Sequence, residues 1–176
     1  MTCSHDSKYP SKWIKEKLDA CHVPMHYAID IAAGSGRHSF LLLNYVTAVR
    51  AVDRDKNLSD YYSNTSVDFD CLDLEEKVWA LDGEKFDVVV VSNYLYRPHL
   101  GNLINLVRPF GYLIYETFGV GNEVFGKPSN PLFLMKKDEL LDYVSKDFIV
   151  LDKFFGKDHE PTPAVKARFF AQRIYD

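Results

Sequence analysis

The stretch Ala28-Ile29-Asp30-Ile31-Ala32-Ala33-Gly34-Ser35-Gly36-Arg37-His38 decides how this chain folds. A short apolar run ends in an acid, two glycines follow, and an apolar helical pattern then begins. This order predicts a strand, a tight turn and a helix N-terminus. Glycine lacks a Cβ, so Gly34 and Gly36 allow a sharp turn and close contact between backbone and ligand. The first N–H groups of the helix face the same place. The turn is therefore suited to a nucleoside-like ligand.

Two ligand classes use such a turn, and Asp30 discriminates between them. A dinucleotide fingerprint needs G-x-G-x-x-G/A, and Ser39 at its last position fits only marginally. A carboxylate beside a pyrophosphate repels it. The same carboxylate suits a ligand with an amino group and a sulfonium, the charges carried by S-adenosylmethionine. Asp53 ends the β-branched run 46–52 and lies roughly twenty residues past the glycines, where an acid at a strand tip takes ribose hydroxyls. Its alternative is to open a turn. Asp73, after the strand-like 66–70, either accepts from an adenine amino group or caps a helix.

Moving out from the turn, residues 12–21 predict a helix capped by Ser11, with Trp13, Ile14, Lys17 and Leu18 on one face. Strands are expected at 27–31, 48–52, 66–70, 86–92, 112–116, 148–154 and 167–175. Helices are expected at 37–43, 58–63, 100–107 and 137–144. The unbroken apolar run of 86–92 suits a parallel strand buried on both faces. Alternation of strands and helices implies a parallel sheet. The last two strands lack an intervening helix and should pair antiparallel. The expected fold is thus α/β and Rossmann-like: a seven-stranded, mostly parallel sheet with helices on both faces and a C-terminal antiparallel strand. Residues 1–10 read as a flexible N-terminus and 11–176 as one domain.

These segments together resemble the class I S-adenosylmethionine-dependent methyltransferases, and within them a bacterial subgroup of small members related to the tellurite-resistance-type enzymes. The resemblance rests on Ser11-Lys12-Trp13-Ile14, Asp30 to His38, Ala51-Val52-Asp53-Arg54-Asp55, Asp73-Leu74-Glu75, Phe86 to Pro98, Tyr115-Glu116-Thr117-Phe118 and Gly121 to Pro131. It implies S-adenosyl-L-methionine as cofactor, bound by Asp30, Ala32, Gly34, Ser35, Gly36, Arg37, Asp53, Arg54, Asp73, Leu74, Asn93 and Tyr94. It implies acceptor binding by Tyr94, Tyr96, Arg97, Glu116, Asn122 and Asn130. The bland roles for four of these are an Arg97–Glu116 ion pair and loop support by Asn122 and Asn130. Members of the subgroup usually have histidine where Tyr96 stands. They also tend to have glycine near Val46, so the helix before the second strand must end differently here, at Asn44.

Transfer from a sulfonium is a one-step in-line displacement, which asks the protein mainly for alignment. No dedicated base stands out; Tyr94, Tyr96 and Glu116 are the candidates. The expected activity is methyl transfer to a small molecule. The alternatives are a non-catalytic cofactor-binding interaction module and an NAD-dependent oxidoreductase. The hydrophobic share of 47% and charged share of 26% are those of an ordinary globular chain, and the net charge of −4 argues against a nucleic-acid partner. Cys3, Cys21 and Cys71 show neither disulfide nor zinc spacing, and no metal is expected. Without a transmembrane run or an apolar leader, a cytoplasmic protein is expected. A protein partner or homo-oligomer is not readable.

Overall fold

The computed structural model describes residues 8–144 and 146–174. Cys3, His5 and Tyr175 lie outside the described residues, as does most of the predicted flexible N-terminus. Seven strands form one sheet: β1 (Tyr27–Ile31), β2 (Ala48–Asp53), β3 (Val67–Cys71), β4 (Phe86–Ser92), β5 (Val107–Phe118), β6 (Phe148–Asp158) and β7 (Ala164–Arg173). Their order is β3-β2-β1-β4-β5-β7-β6. All neighbours run parallel except β7, which is antiparallel to both β5 and β6.

Every residue of β4 is buried, as its unbroken apolar run requires. Alternate residues feed two cores. Ile29, Ile31, Val89, Val91 and Leu113 pack on one face beneath Leu100, Leu103 and Ile104 of α4 (Leu100–Asn105). Ala28, Val49, Val88, Val90 and Ile114 pack on the other. There they meet Trp13, Ile14 and Leu18 of α1 (Lys12–Asp19), Leu42 of α2 (Arg37–Leu42) and Tyr62 of α3 (Ser59–Tyr62). Ser11 caps α1 as expected, its hydroxyl accepting from the Ile14 N–H. With no glycine available, α2 ends in a turn in which the Asn44 amide donates to the Leu41 carbonyl.

Three expectations change. No α-helix forms over 137–144. Asp138 takes a left-handed conformation (φ 60°) and Glu139–Asp142 makes only a 3-10 turn. The Glu139 carboxylate is held by the Lys136 N–H and by Arg97, which fixes the turn from outside. The helix after β4 stops at Asn105 because Val107 already pairs with Phe86. Finally, the last three strands extend beyond their predicted bounds: β5 begins at Val107 rather than 112, β6 runs to Asp158 rather than 154, and β7 begins at Ala164 rather than 167.

The parallel register aligns the carboxyl ends of the first five strands. Asp30 stands beside Ala51 and Val90, and Ser92 beside Glu116. The chain order reverses between β1 and β4, and a crevice forms above such a point. Because β7 runs the other way, its first residues reach that same rim.

Candidate functional site

Three positions of the turn after β1 have positive φ: Ala32 (54°), Gly34 (57°) and Gly36 (89°). The two glycines do different work. A Cβ on Gly36 would stand 2.7 Å from the Phe40 ring and 3.0 Å from Tyr62. A Cβ on Gly34 would meet nothing within 4 Å, so this glycine faces open space. The Gly34 N–H donates to Asp53 Oδ2 at 3.0 Å, and the Gly34 carbonyl accepts from the Tyr62 hydroxyl at 2.8 Å. Asp53 Oδ1 accepts from the Asp55 N–H. Asp53 is thereby aimed across the turn, and a carboxylate with two N–H partners still has lone pairs for hydroxyl donors.

Three acids are buried among the described residues: Asp30, Asp87 and Glu116. Asp87 is satisfied by the His26 and Tyr27 N–H groups and by Arg108. Glu116 is paired with Arg168 at 2.5 Å. Asp30, only 1% exposed, has no arginine partner. Its Oδ2 accepts from the Ser39 hydroxyl at 2.6 Å, while Oδ1 has no hydrogen bond. Burial pushes its pKa up to about 7, against the opposing pull of Ser39 and the charge of Arg37. The sequence places this carboxylate on the rim; the structure places it beneath the turn, lining neither cleft described below.

One other buried side-chain polar atom among the described residues lacks a partner, the Tyr94 hydroxyl. Burial, reinforced by Glu75 and Asp73, pushes this phenol well above the ordinary tyrosine value. Tyr94 follows β4 and Asp30 is the penultimate residue of the neighbouring β1, so Asp30 lies just beneath, and Tyr94 upon, one rim.

Two clefts open along it. The smaller, about 170 Å³, is lined by Ala32, Asp53, Arg54, Asp73, Leu74 and Tyr94, all six predicted as ligand-binding. No helix follows Asp73, whose Oδ1 instead accepts from the Glu75 N–H in a side-chain turn. The larger cleft, about 670 Å³, holds Arg37, Asn93 and Glu116 from the predicted set. Arg37 donates to the Ser92 hydroxyl at 3.0 Å. Asn93, in a left-handed conformation (φ 54°), turns the chain from one cleft to the other. Ser35, between the two glycines, lines neither cleft.

Three of the predicted acceptor contacts face elsewhere, and Tyr96 lines neither cleft. Arg97 does not pair with Glu116. It donates to Glu139 and to the carbonyls of Leu132 and Leu134, pinning the long loop after β5. Asn122, 1% exposed, bridges the Pro128 carbonyl and the Val165 N–H. Asn130 caps the turn Pro131–Phe133. The Tyr96 ring packs near His99.

Sequence reasoning missed Trp13, Lys166 and Arg168 in the larger cleft. Starting the last strand at 167 hid Lys166; counting from the expected antiparallel pairing would have put its first residues at this rim. His38 was also missed. Its Nε2 accepts from the Ser11 N–H at 3.0 Å, tying α1 to α2. Burial, with Arg37 and Lys166 nearby, holds its pKa down at about 3, so the imidazole is neutral. Among the described residues no group of acids, histidines and cysteines suits a metal ion.

The sequence matches no protein-family profile and no curated protein. Solved structures do match. TehB from Haemophilus influenzae superposes with a TM-score of 0.73 at 17% identity over 96% of this chain and 64% of its own. An S-adenosylmethionine-dependent methyltransferase from Clostridium acetobutylicum gives 0.71 at 14% identity over 97% and 94%. The N-methyltransferase NodS from Bradyrhizobium japonicum, in complex with S-adenosyl-L-homocysteine, gives 0.67 at 13% identity over 96% and 89%. The chain thus has the class I methyltransferase fold.

Proposed function

We propose that this protein is an S-adenosylmethionine-dependent methyltransferase acting on a small-molecule acceptor. One observation carries the reading: two buried polar atoms lack partners, Asp30 Oδ1 beneath the glycine turn and Tyr94 Oη beside the smaller cleft, at the carboxyl ends of neighbouring strands, the end of such a sheet at which ligands bind. A ligand with an ammonium and an adenosine would give both a partner, and the chemistry of the donor set fits. Asp30 Oδ1 would take the ammonium, Asp53 the ribose hydroxyls and Asp73 the adenine amino group. Leu74 and Tyr94 would wall the base, and Gly34 would leave room for the tail. Bound there, the cofactor supplies a methyl group already activated by its sulfonium.

The chain's own task is then to orient an acceptor in the larger cleft, on the far side of Asn93. Two of the sequence's base candidates are poorly placed to remove a proton. The Tyr94 phenol is held far above neutral pH, and Glu116 is locked to Arg168. This favours catalysis by alignment over catalysis by a dedicated base. An open cleft beside Asn93 favours an enzyme over a non-catalytic binding module. The carboxylate of Asp30 by the glycine turn disfavours a pyrophosphate-bearing dinucleotide. A cytoplasmic setting belongs to the same reading; Cys21 and Cys71 are both unpaired thiols, and no helix among the described residues is long and apolar enough to cross a membrane.

Calorimetric titration with S-adenosylhomocysteine and with NAD tests this directly. Saturable heat with the first and none with the second is expected. Heat with NAD alone, or with neither, overturns it.

A further inference from the structure

The antiparallel course of β7 delivers two cations to the larger cleft, and their situations differ. Arg168 is spent: it pairs with Glu116 and with Asp158, both at 2.5 Å. Lys12 at the cleft mouth is likewise paired with Glu160. Lys166 makes no ion pair among the described residues, because the acids near it are already held by Arg168. Its ammonium lies 3.9 Å from the centre of the Phe118 ring and donates to Asn93 Oδ1 at 3.3 Å. An ammonium has three donors, and the ring face uses none of them as a full hydrogen bond. Burial weakens its charged form, with Arg168 and Arg37 adding to the effect and Glu116 and Asp158 opposing it. A half-buried cation so placed gains from an anion.

Lys166 also stands where an acceptor would be. Asn93 sits on the same rim, and Phe118 and Trp13 supply apolar wall. We propose that Lys166 seats the anionic group of the methyl acceptor, which is therefore a carboxylate-bearing small molecule with an apolar body lying toward Phe118 and Trp13. The inference deepens the methyltransferase reading and rests on it for the word acceptor. The anion-binding site itself stands on Lys166 alone.

The cofactor's own carboxylate is the competing source of the same chemistry, and the test separates the two. The full-length protein, its Lys166→Met variant and its Lys166→Arg variant are titrated with four probes. S-adenosylhomocysteine and methylthioadenosine, which lacks the amino-acid tail, report the cofactor side. Benzoate and its neutral amide report the acceptor side, with and without S-adenosylhomocysteine. The methionine variant is expected to weaken benzoate about tenfold or more, the scale of a lost charge-assisted hydrogen bond, and to leave S-adenosylhomocysteine within about twofold. The arginine variant should keep benzoate binding, and the amide should bind weakly to all three proteins. The proposal fails if benzoate does not bind the parent protein, binds the methionine variant as well, or binds no better than its amide. It also fails if the methionine variant loses S-adenosylhomocysteine while keeping methylthioadenosine, for Lys166 would then hold the cofactor's tail. If the parent protein ignores S-adenosylhomocysteine yet binds benzoate through Lys166, the methyltransferase reading falls and the anion site remains.

Discussion

A buried carboxylate with one bonded oxygen and one bare oxygen is a costly thing to keep. Asp87 and Glu116 show how the same fold satisfies an acid when nothing else is asked of it, with backbone N–H groups and an arginine. Asp30 gets one serine hydroxyl. Its folded pKa of about 7 stands above the ordinary 3.8, so its contribution to stability is present at low pH and is lost as pH rises through that interval. Asp30→Asn keeps the shape and removes the charge. Above about pH 7 it should raise the melting temperature by a few degrees, while weakening S-adenosylhomocysteine about tenfold or more. Scanning calorimetry and ligand titration read the two effects, and a variant that loses stability without losing affinity would make Asp30 a purely structural acid. Ser39→Ala removes the bond that eases the charge. It should cost about 1–3 kcal/mol near pH 8 and markedly less near pH 5, where Asp30 carries its proton, as urea titrations at the two pH values would show.

Turns and helices were legible where a local constraint dictates them. The two glycines announce their turn because only a residue without Cβ accepts those dihedrals cheaply, although Ala32 takes the same left-handed region without one. β4 is readable because burial on both faces leaves no polar position in it. The 137–144 segment was not, since its fate depends on Arg97, forty-two residues before Glu139, seizing that carboxylate. The same long-range choice defeated the expected roles of Arg97 and Asn122: spacing cannot tell which of two distant groups a side chain will find. The glycine turn offers a paired test. Gly36→Ala places a Cβ at positive φ against Phe40 and Tyr62 and should cost about 2–4 kcal/mol in urea unfolding. Gly34→Ala has space and should cost only about 1 kcal/mol, yet lose S-adenosylhomocysteine affinity about tenfold, because the new methyl enters the ligand's room. Equal costs at the two sites, or unchanged affinity in Gly34→Ala, would contradict that division of labour.

Across the sheet, the parallel strands put the acids at one rim and the single reversed strand answers them with cations, so the charge balance of the site is a property of topology. It also sets how the protein responds to acid. His38, buried neutral with a pKa of about 3, contributes stability above the ordinary 6.5 that is lost as pH falls below it. Asp30 does the reverse between 3.8 and about 7. Glu139, Asp152 and Asp158 are each held below the usual carboxylate range, so they act only at more acidic pH. Between about pH 4.5 and pH 6.5 the slopes from Asp30 and His38 oppose each other at about 1.4 kcal/mol per pH unit apiece and nearly cancel. The parent protein should therefore show a flat stability over this interval. Asp30→Asn removes the falling component and should make stability climb with pH. His38→Gln, which keeps an acceptor for the Ser11 N–H, removes the rising component and should make it decline. Chemical denaturation of the three proteins across the interval measures all three slopes. If the two variants tilt in the same direction, the neutral imidazole and the half-satisfied carboxylate are not the opposed pair that the burial of both implies.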